Sequence, residues 1–143
     1  MTPDSGPEAR VRAAFAAQGL MRTLGAEVVS VAPGEVALRA PITPVVSQHD
    51  GFAHAALAFA LGDNAAGFAT LTLLPPDKGV LTVEMKINLV APARGLALTA
   101  RGRVEHAGRR LCAVRAEVTA EREDGTVATV ALLQGTMTAW TPR

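Results

Sequence analysis

The sequence predicts a single α+β domain, residues 1–143, in which an antiparallel β-sheet wraps around one long central α-helix. Three observations carry that expectation. The alanine-rich stretch 53–74 is long enough for six helical turns and ends at Pro75-Pro76, which cannot continue a helix. The segments that follow it alternate apolar and polar residues with a period of two and are separated by turn residues. Hydrophobic residues make up 49% of the 143 and charged ones only 19%, which is enough apolar mass for a core and too little charge for a disordered chain.

Residues 8–18, EARVRAAFAAQ, place Val11, Ala14, Phe15 and Gln18 at helical spacing, with Asp4 or Ser5 as a start signal and Gly19 as a stop. Residues 1–19 are therefore an N-terminal extension with one short amphipathic helix. Two β-like runs, Ala26 to Val31 and Glu35 to Ala40, flank Ala32-Pro33-Gly34 and read as a hairpin. Pro41 to Gly51 is loop chemistry, with Ser47, Gln48, His49 and Asp50 leading into the helix predicted over Ala53 to Leu74. From Leu81 to Leu89 the odd positions are apolar and the even ones polar, which predicts one buried face holding Leu81, Val83, Met85, Ile87 and Leu89. Leu96 to Glu105 and Cys112 to Ala120 follow as antiparallel strands around Ala107-Gly108. Asp124-Gly125 then turns the chain into a last strand, Thr126 to Ala139.

Several function classes drop out early. The formal charge is +1, with four Phe, one Trp and no Tyr, so neither the basic surface nor the stacking platform of a nucleic-acid binder is expected. Cys112 stands alone, without a disulfide partner or the company of a thiolate metal site, which fits the cytoplasm. The N-terminus lacks the basic start and apolar run of a secretory signal. The stretch 52–74 has the length of a membrane span, but Asp63 sits near its centre, where a carboxylate costs roughly 2.5–3.5 kcal/mol. It is expected to be a buried helix of a soluble protein, with no membrane contact.

Asp63 is the first candidate for chemistry, being the only charged residue between His54 and the two prolines. Phe59, Gly62, Ala66, Gly67 and Thr70 share its helix face, and the small members would let a ligand or another backbone approach; Leu57, Leu61, Ala65 and Phe68 form a bulkier face for the sheet. A plain alternative is that Asp63-Asn64 caps a break in the helix or points to solvent. The second candidate is Gln48 to Ala55. Gly51 allows an unusual turn, the amides around His54 and Ala55 are free donors at a helix start, and Gln48 adds a side-chain N–H, together a candidate oxyanion site. His49 and His54 read equally as structural or capping histidines, and no metal site is expected. Ala55 and Asp63 lie about 12 Å apart along a helix axis, so a shared reacting atom requires a homodimer with antiparallel helices.

The runs QHDGFAHAALAFALGDNAAGFA and GVLTVEMKINLVAPARG closely resemble hot-dog acyl-CoA thioesterases of the phenylacetate-degradation (PaaI-like) group, and the resemblance extends from about Leu20 onward. That pattern has an Asn, a Gly, a His-Gly-Gly, an Asp nine residues after the His, and a Ser or Thr in a Val-rich strand. Gln48, Gly51, His54-Ala55-Ala56, Asp63 and Thr82 occupy those places. The resemblance implies the hot-dog fold and hydrolysis of an acyl-CoA to a carboxylic acid and free CoA. In that reaction Asp63 is general base or nucleophile, Thr82 helps place the water, and the Ala55 amide with Gln48 polarises the carbonyl. Gln48 stands where Asn is usual and Ala55-Ala56 where two glycines are usual, so the Asp63 and Thr82 matches are the more direct ones.

Gly51, His54, Phe59 and Asn64 are the expected substrate contacts, with Val45, Val46 and Phe52 lining the acyl pocket and Met21, Leu24 and the N-terminal helix closing one end. Arg101, Arg103, Arg109 and Arg110 read either as coenzyme A phosphate contacts or as solvated strand and turn positions. Coenzyme A would arrive as part of the substrate, no other cofactor is expected, and the assembly is a homodimer or a homotetramer built from two. A hot-dog protein that binds acyl-CoA without turnover is the main alternative. A dehydratase using His49-Asp50 is the third reading, and Glu84 and Asp50 are reserve carboxylates.

Overall fold

The computed structural model describes residues 6–143. Two helices, α1 (Pro7–Ala17) and α2 (Gly19–Thr23), precede strands β1 (Glu27–Ala32) and β2 (Glu35–Pro41); the central helix α3 (Ala55–Leu71) follows, and then β3 (Gly79–Leu89), β4 (Ala97–Ala107), β5 (Leu111–Glu121) and β6 (Val127–Trp140). The strands form one antiparallel sheet in the order β1-β2-β4-β5-β6-β3, with β1 and β3 at its edges. It is the expected α+β, hot-dog arrangement, with the sheet wrapped around α3.

Alanine and leucine carry α3 by propensity, and it is buried along nearly its whole length, from Leu57 to Leu71. The helix begins two residues later than the sequence predicts because His54 caps it: His54 Nδ1 accepts from the Ala56 N–H at 2.9 Å. It also ends earlier. Thr72 Oγ1 donates to the Ala69 carbonyl at 2.7 Å and accepts from the Gly34 N–H at 2.7 Å, which fastens the β1–β2 turn to the helix end.

Strand β4 crosses α3 at backbone contact. A Cβ on Gly102 would lie 2.3 Å from Ala65 C and Ala66 N, so only glycine lets helix and sheet close to this distance. Around that contact Leu38, Leu61, Leu98, Val118 and Val130 fill the core.

The start of the chain departs from the expectation of one helix stopped by Gly19. Pro7 occupies the first turn behind Gly6, the proposed start signals Asp4 and Ser5 lie outside the described residues, and Gly19 opens α2 instead of ending the run. Val11 is fully buried and Met21 nearly so, while Arg10 donates to the carbonyls of Leu74 and Lys78 at 2.9 Å each. The N-terminal helix is therefore clasped over the far end of α3.

Strand β3 corrects the predicted burial most clearly. On β3, an edge of the described sheet, Leu81, Val83 and Leu89 are 52%, 55% and 55% exposed. The strict alternation also fails. Thr82 pairs with Met137 but Glu84 with Thr136, so Val83 is an extra residue, a β-bulge that changes which positions face the helix. Before the bulge Val80 and Thr82 face inward; after it Met85 and Ile87 do.

Candidate active site

The bulge delivers Thr82 to Asp63. Asp63 sits mid-helix and half-buried, facing the β3 edge, and Thr82 Oγ1 donates to Asp63 Oδ1 at 2.7 Å, with Met137 Sδ 3.4 Å from the same hydroxyl. A regular strand that paired Val83 and kept its inner face at Met85 and Ile87 would turn Thr82 away from α3, so this hydrogen bond exists because Val83 is bulged out of the ladder. Among the described residues the other carboxylate oxygen of Asp63 carries no hydrogen bond. A cavity of about 210 Å³ opens beside the pair, between α3, the first residues of β3, Met137 of β6 and Gln18.

The small residues of the Asp63 face divide into two jobs. Gly62 receives the sheet: a Cβ there would meet Leu133 Cδ2 at 2.8 Å. Gly67 leaves room instead, its nearest neighbour being Met137 Cε at 3.9 Å, and it lines the cavity.

The second group forms at the helix start. Gly51 takes φ +84°, closing a tight loop in which the Gln48 side-chain oxygen accepts from the Asp50 N–H and from the Phe52 N–H, the latter at 3.3 Å. Two backbone donors on one side of the amide require its oxygen there, which turns the Gln48 NH₂ outward as a donor. The Ala55 N–H meets no acceptor among the described residues, as befits the first turn of a helix whose dipole favours negative charge. His54 is occupied as the cap. Phe52 lies under the Arg94 guanidinium, 4.3 Å from ring centroid to Cζ.

The structure thus gathers Asp63 with Thr82, and Gln48 with Gly51 and Ala55, but keeps the two groups apart on one chain. Of the expected acyl-pocket residues, Val45 is 85% exposed, Val46 is buried under the loop, and neither these nor Phe52 and Phe59 line the cavity beside Asp63. Gln18, Phe68, Val80 and Met137 do; Gln18 ends the N-terminal helix expected to close the pocket, whereas nothing in the sequence singles out Phe68, Val80 and Met137 for that place. Asn64 joins that cavity with its amide engaged by Gln18: Gln18 Nε2 donates to Asn64 Oδ1 at 3.0 Å and Asn64 Nδ2 to Gln18 Oε1 at 2.8 Å.

Among the expected cations, Arg101 and Arg103 flank the inward Gly102 and so face away from α3, lining an outer cleft with Glu84 and Glu117. Arg103 is tied to Glu105 at 2.6 Å, and Arg109 and Arg110 are exposed in the β4–β5 turn. Glu84 accepts from Thr136 on that same outer face, which removes it as a reserve base for the Asp63 site. His49 and Asp50 stand 3.4 Å apart and largely exposed at the loop tip.

No described helix is long and apolar enough to cross a membrane. Among the described residues no group of three His, Cys, Asp or Glu side chains is placed to hold a metal ion.

Comparison with known proteins agrees with this fold. Residues 50–127, which span the helix start, Asp63 and Thr82, match the family described as the thioesterase superfamily. A solved thioesterase family protein from Silicibacter pomeroyi is 36% identical and superposes with a TM-score of 0.93 over 96% of this chain and 100% of its own. The PaaI protein of the E. coli phenylacetic acid degradation operon, at 19% identity, gives a TM-score of 0.81 over 94% of this chain and 93% of its own. The 1,4-dihydroxy-2-naphthoyl-CoA hydrolase of Listeria monocytogenes is 29% identical over 105 residues, 73% of this chain and 85% of that protein.

Proposed function

This chain belongs to the thioesterase superfamily, with the hot-dog fold of its PaaI-like members, and on that footing we propose that it hydrolyses acyl-CoA thioesters with Asp63 as general base. The observation that carries the assignment is the Thr82 hydroxyl on Asp63 Oδ1 at the mouth of a cavity, which leaves the second carboxylate oxygen free for a water. Water gives a proton to Asp63 as its oxygen attacks the thioester carbonyl. The oxyanion that forms is held by the Ala55 N–H and the Gln48 NH₂, and collapse breaks the C–S bond. The departing thiol has a pKa near about 8.5 and needs little acid assistance, so the reaction calls for no cofactor beyond the coenzyme A of the substrate.

Asp63 follows Ala55 by eight positions, about 12 Å along the helix, so one chain does not present both groups to one carbonyl. The reading therefore includes a homodimer in which the helix start of one copy meets Asp63 of the other, and pairs of such dimers give a tetramer. The exposed Leu81, Val83 and Leu89 of the β3 edge support a partner there. The single buried Cys112 supports a reducing compartment, the cytoplasm.

The direct test is thiol release from a panel of aromatic and straight-chain acyl-CoAs. Turnover of any member upholds the reading. No turnover, with thioether analogues still raising the melting temperature, replaces it with acyl-CoA binding. Sharing of the site has its own test. Asp63→Asn and Gln48→Ala proteins are each expected to be nearly inactive, and refolding them together restores about a quarter of native activity, because half the dimers then hold one unaltered site. A mixture as inactive as its parents would place each site within one chain.

Thr82→Val is expected to lower kcat about 10–100-fold, the loss of one hydrogen bond to a charged group, while Thr82→Ser retains most of it.

A further inference from the structure

The Asp63 cavity has a wall that the chemistry above leaves unused. It is the corner between α1 and α2, where Gln18 is at once the residue after α1 and the residue before α2. Its backbone is fixed on both sides, the N–H donating to the Phe15 carbonyl at 3.0 Å and the carbonyl accepting from the Arg22 N–H at 3.4 Å. Its side chain makes no capping bond to α2. The amide instead crosses the groove to α3 and closes a two-bond ring with Asn64. Asn64 and Phe68 form the side of α3 that meets α1, where the tilted rings of Phe15 and Phe68 lie 6.3 Å apart, while Asp63 and Gly67 form the side that meets β3. An acyl group with its carbonyl near Asp63 enters between these walls.

We propose that Gln18, pinned across the groove by Asn64, is the gate that sets how long an acyl group the Asp63 site accepts. This rests on the acyl-CoA reading above and names the specificity element of that same site. Placement and attachment both support a fixed stop. Gln18 and Asn64 line the cavity, about 210 Å³ on one chain, on the side toward α1, opposite Thr82 and Val80 of β3. Each amide spends one N–H and one lone pair on the other, so neither side chain swings aside without leaving two partly buried polar groups unpaired. The helix carrying Gln18 is anchored by the fully buried Val11 and by the two Arg10 bonds, so the stop has a rigid base.

The test compares butanoyl-CoA with decanoyl-CoA for the native protein, Gln18→Ala and Asn64→Ala, reading kcat/KM for each and the Kd of the matching non-hydrolysable thioethers. The native protein favours the short chain. In both variants the decanoyl-to-butanoyl ratio of kcat/KM rises at least ten-fold, since each newly buried methylene is worth about four-fold. Asn64→Ala removes the pin but leaves the Gln18 backbone corner intact and improves helix propensity, so it reads the gate even where Gln18→Ala fails to fold. Ratios within two-fold of native in a folded variant, or an equal fall for both chain lengths, would overturn the gate and leave Gln18 a structural tie. The thioether arm separates this from the hydrolysis itself: a shifted Kd ratio in a protein that releases no thiol keeps the gate and removes the hydrolase.

Discussion

Asp63→Ala is expected to lower kcat for acyl-CoA hydrolysis by about 10²–10⁴-fold, the usual contribution of a positioned general base, while the protein stays folded. Both halves of that expectation come from the same geometry. The carboxylate is half-buried at the open β3 side of α3, and its one hydrogen-bond partner among the described residues is the Thr82 hydroxyl, which can turn to water once the carboxylate is gone. Alanine is also the best helix former, so the substitution strengthens the local helix. A thermal melt beside the steady-state assay separates the outcomes. Activity lost at an unchanged melting temperature identifies chemistry, and activity retained within a few-fold would return Asp63 to a surface role and shift the search to another group. Asp63→Glu sharpens the point, since it keeps the charge but moves it one methylene away from Thr82 and from any water held there.

Gly102→Ala carries the largest expected effect on stability. One methyl group at that position would sit 2.3 Å from two backbone atoms of α3, which have no rotamer by which to yield. Helix and sheet must separate, and the loss spreads to the Leu38, Leu61 and Leu98 packing around the contact. Overpacking of this kind costs about 3 kcal/mol, or a fall of about 10 °C in melting temperature for a domain of this size. Gly67→Ala is the matched control: its new Cβ meets nothing closer than 3.9 Å, so it escapes that penalty while narrowing the Asp63 cavity. A Gly102→Ala protein that melts with the native one would mean that the sheet can shift off the helix at little cost.

Sequence periodicity reached the fold because each element is long and bounded by strong punctuation: proline after the helix, Pro-Gly, Ala-Gly and Asp-Gly turns between strands. It failed where a local rule was overridden by the neighbouring strand. The nine-residue alternation of β3 reads as one continuous inner face, yet only the pairing with β6 reveals that Val83 is extra, and that information is not in β3 itself. Asp63 and the stretch Gln48 to Ala55 stand out as candidates by their residue chemistry and Thr82 through the family resemblance, but the hydrogen bond joining Asp63 to Thr82 is not legible in the sequence, because it depends on the bulge. The sequence leaves His54 as a substrate contact or a cap, and the structure shows the capping bond from the Ala56 N–H to its Nδ1. Gln18 had left a signal. It is the one polar residue on the stripe Val11, Ala14, Phe15, Gln18, and an amide aimed at a core needs a partner, here the amide of Asn64.

The two halves of β3 are kept in step by a residue that belongs to neither. Thr82 stays opposite Met137 and Glu84 opposite Thr136 only while Val83 is held out of the ladder. Were Val83 drawn into the pairing, a one-residue slip would exchange the faces on one side of it, and either Thr82 or Met85 and Ile87 would turn outward. Deleting Val83 removes that choice: Thr82, Met85 and Ile87 then share one face of a regular strand, so a single-codon deletion would keep the hydroxyl beside Asp63 and take away the bulge.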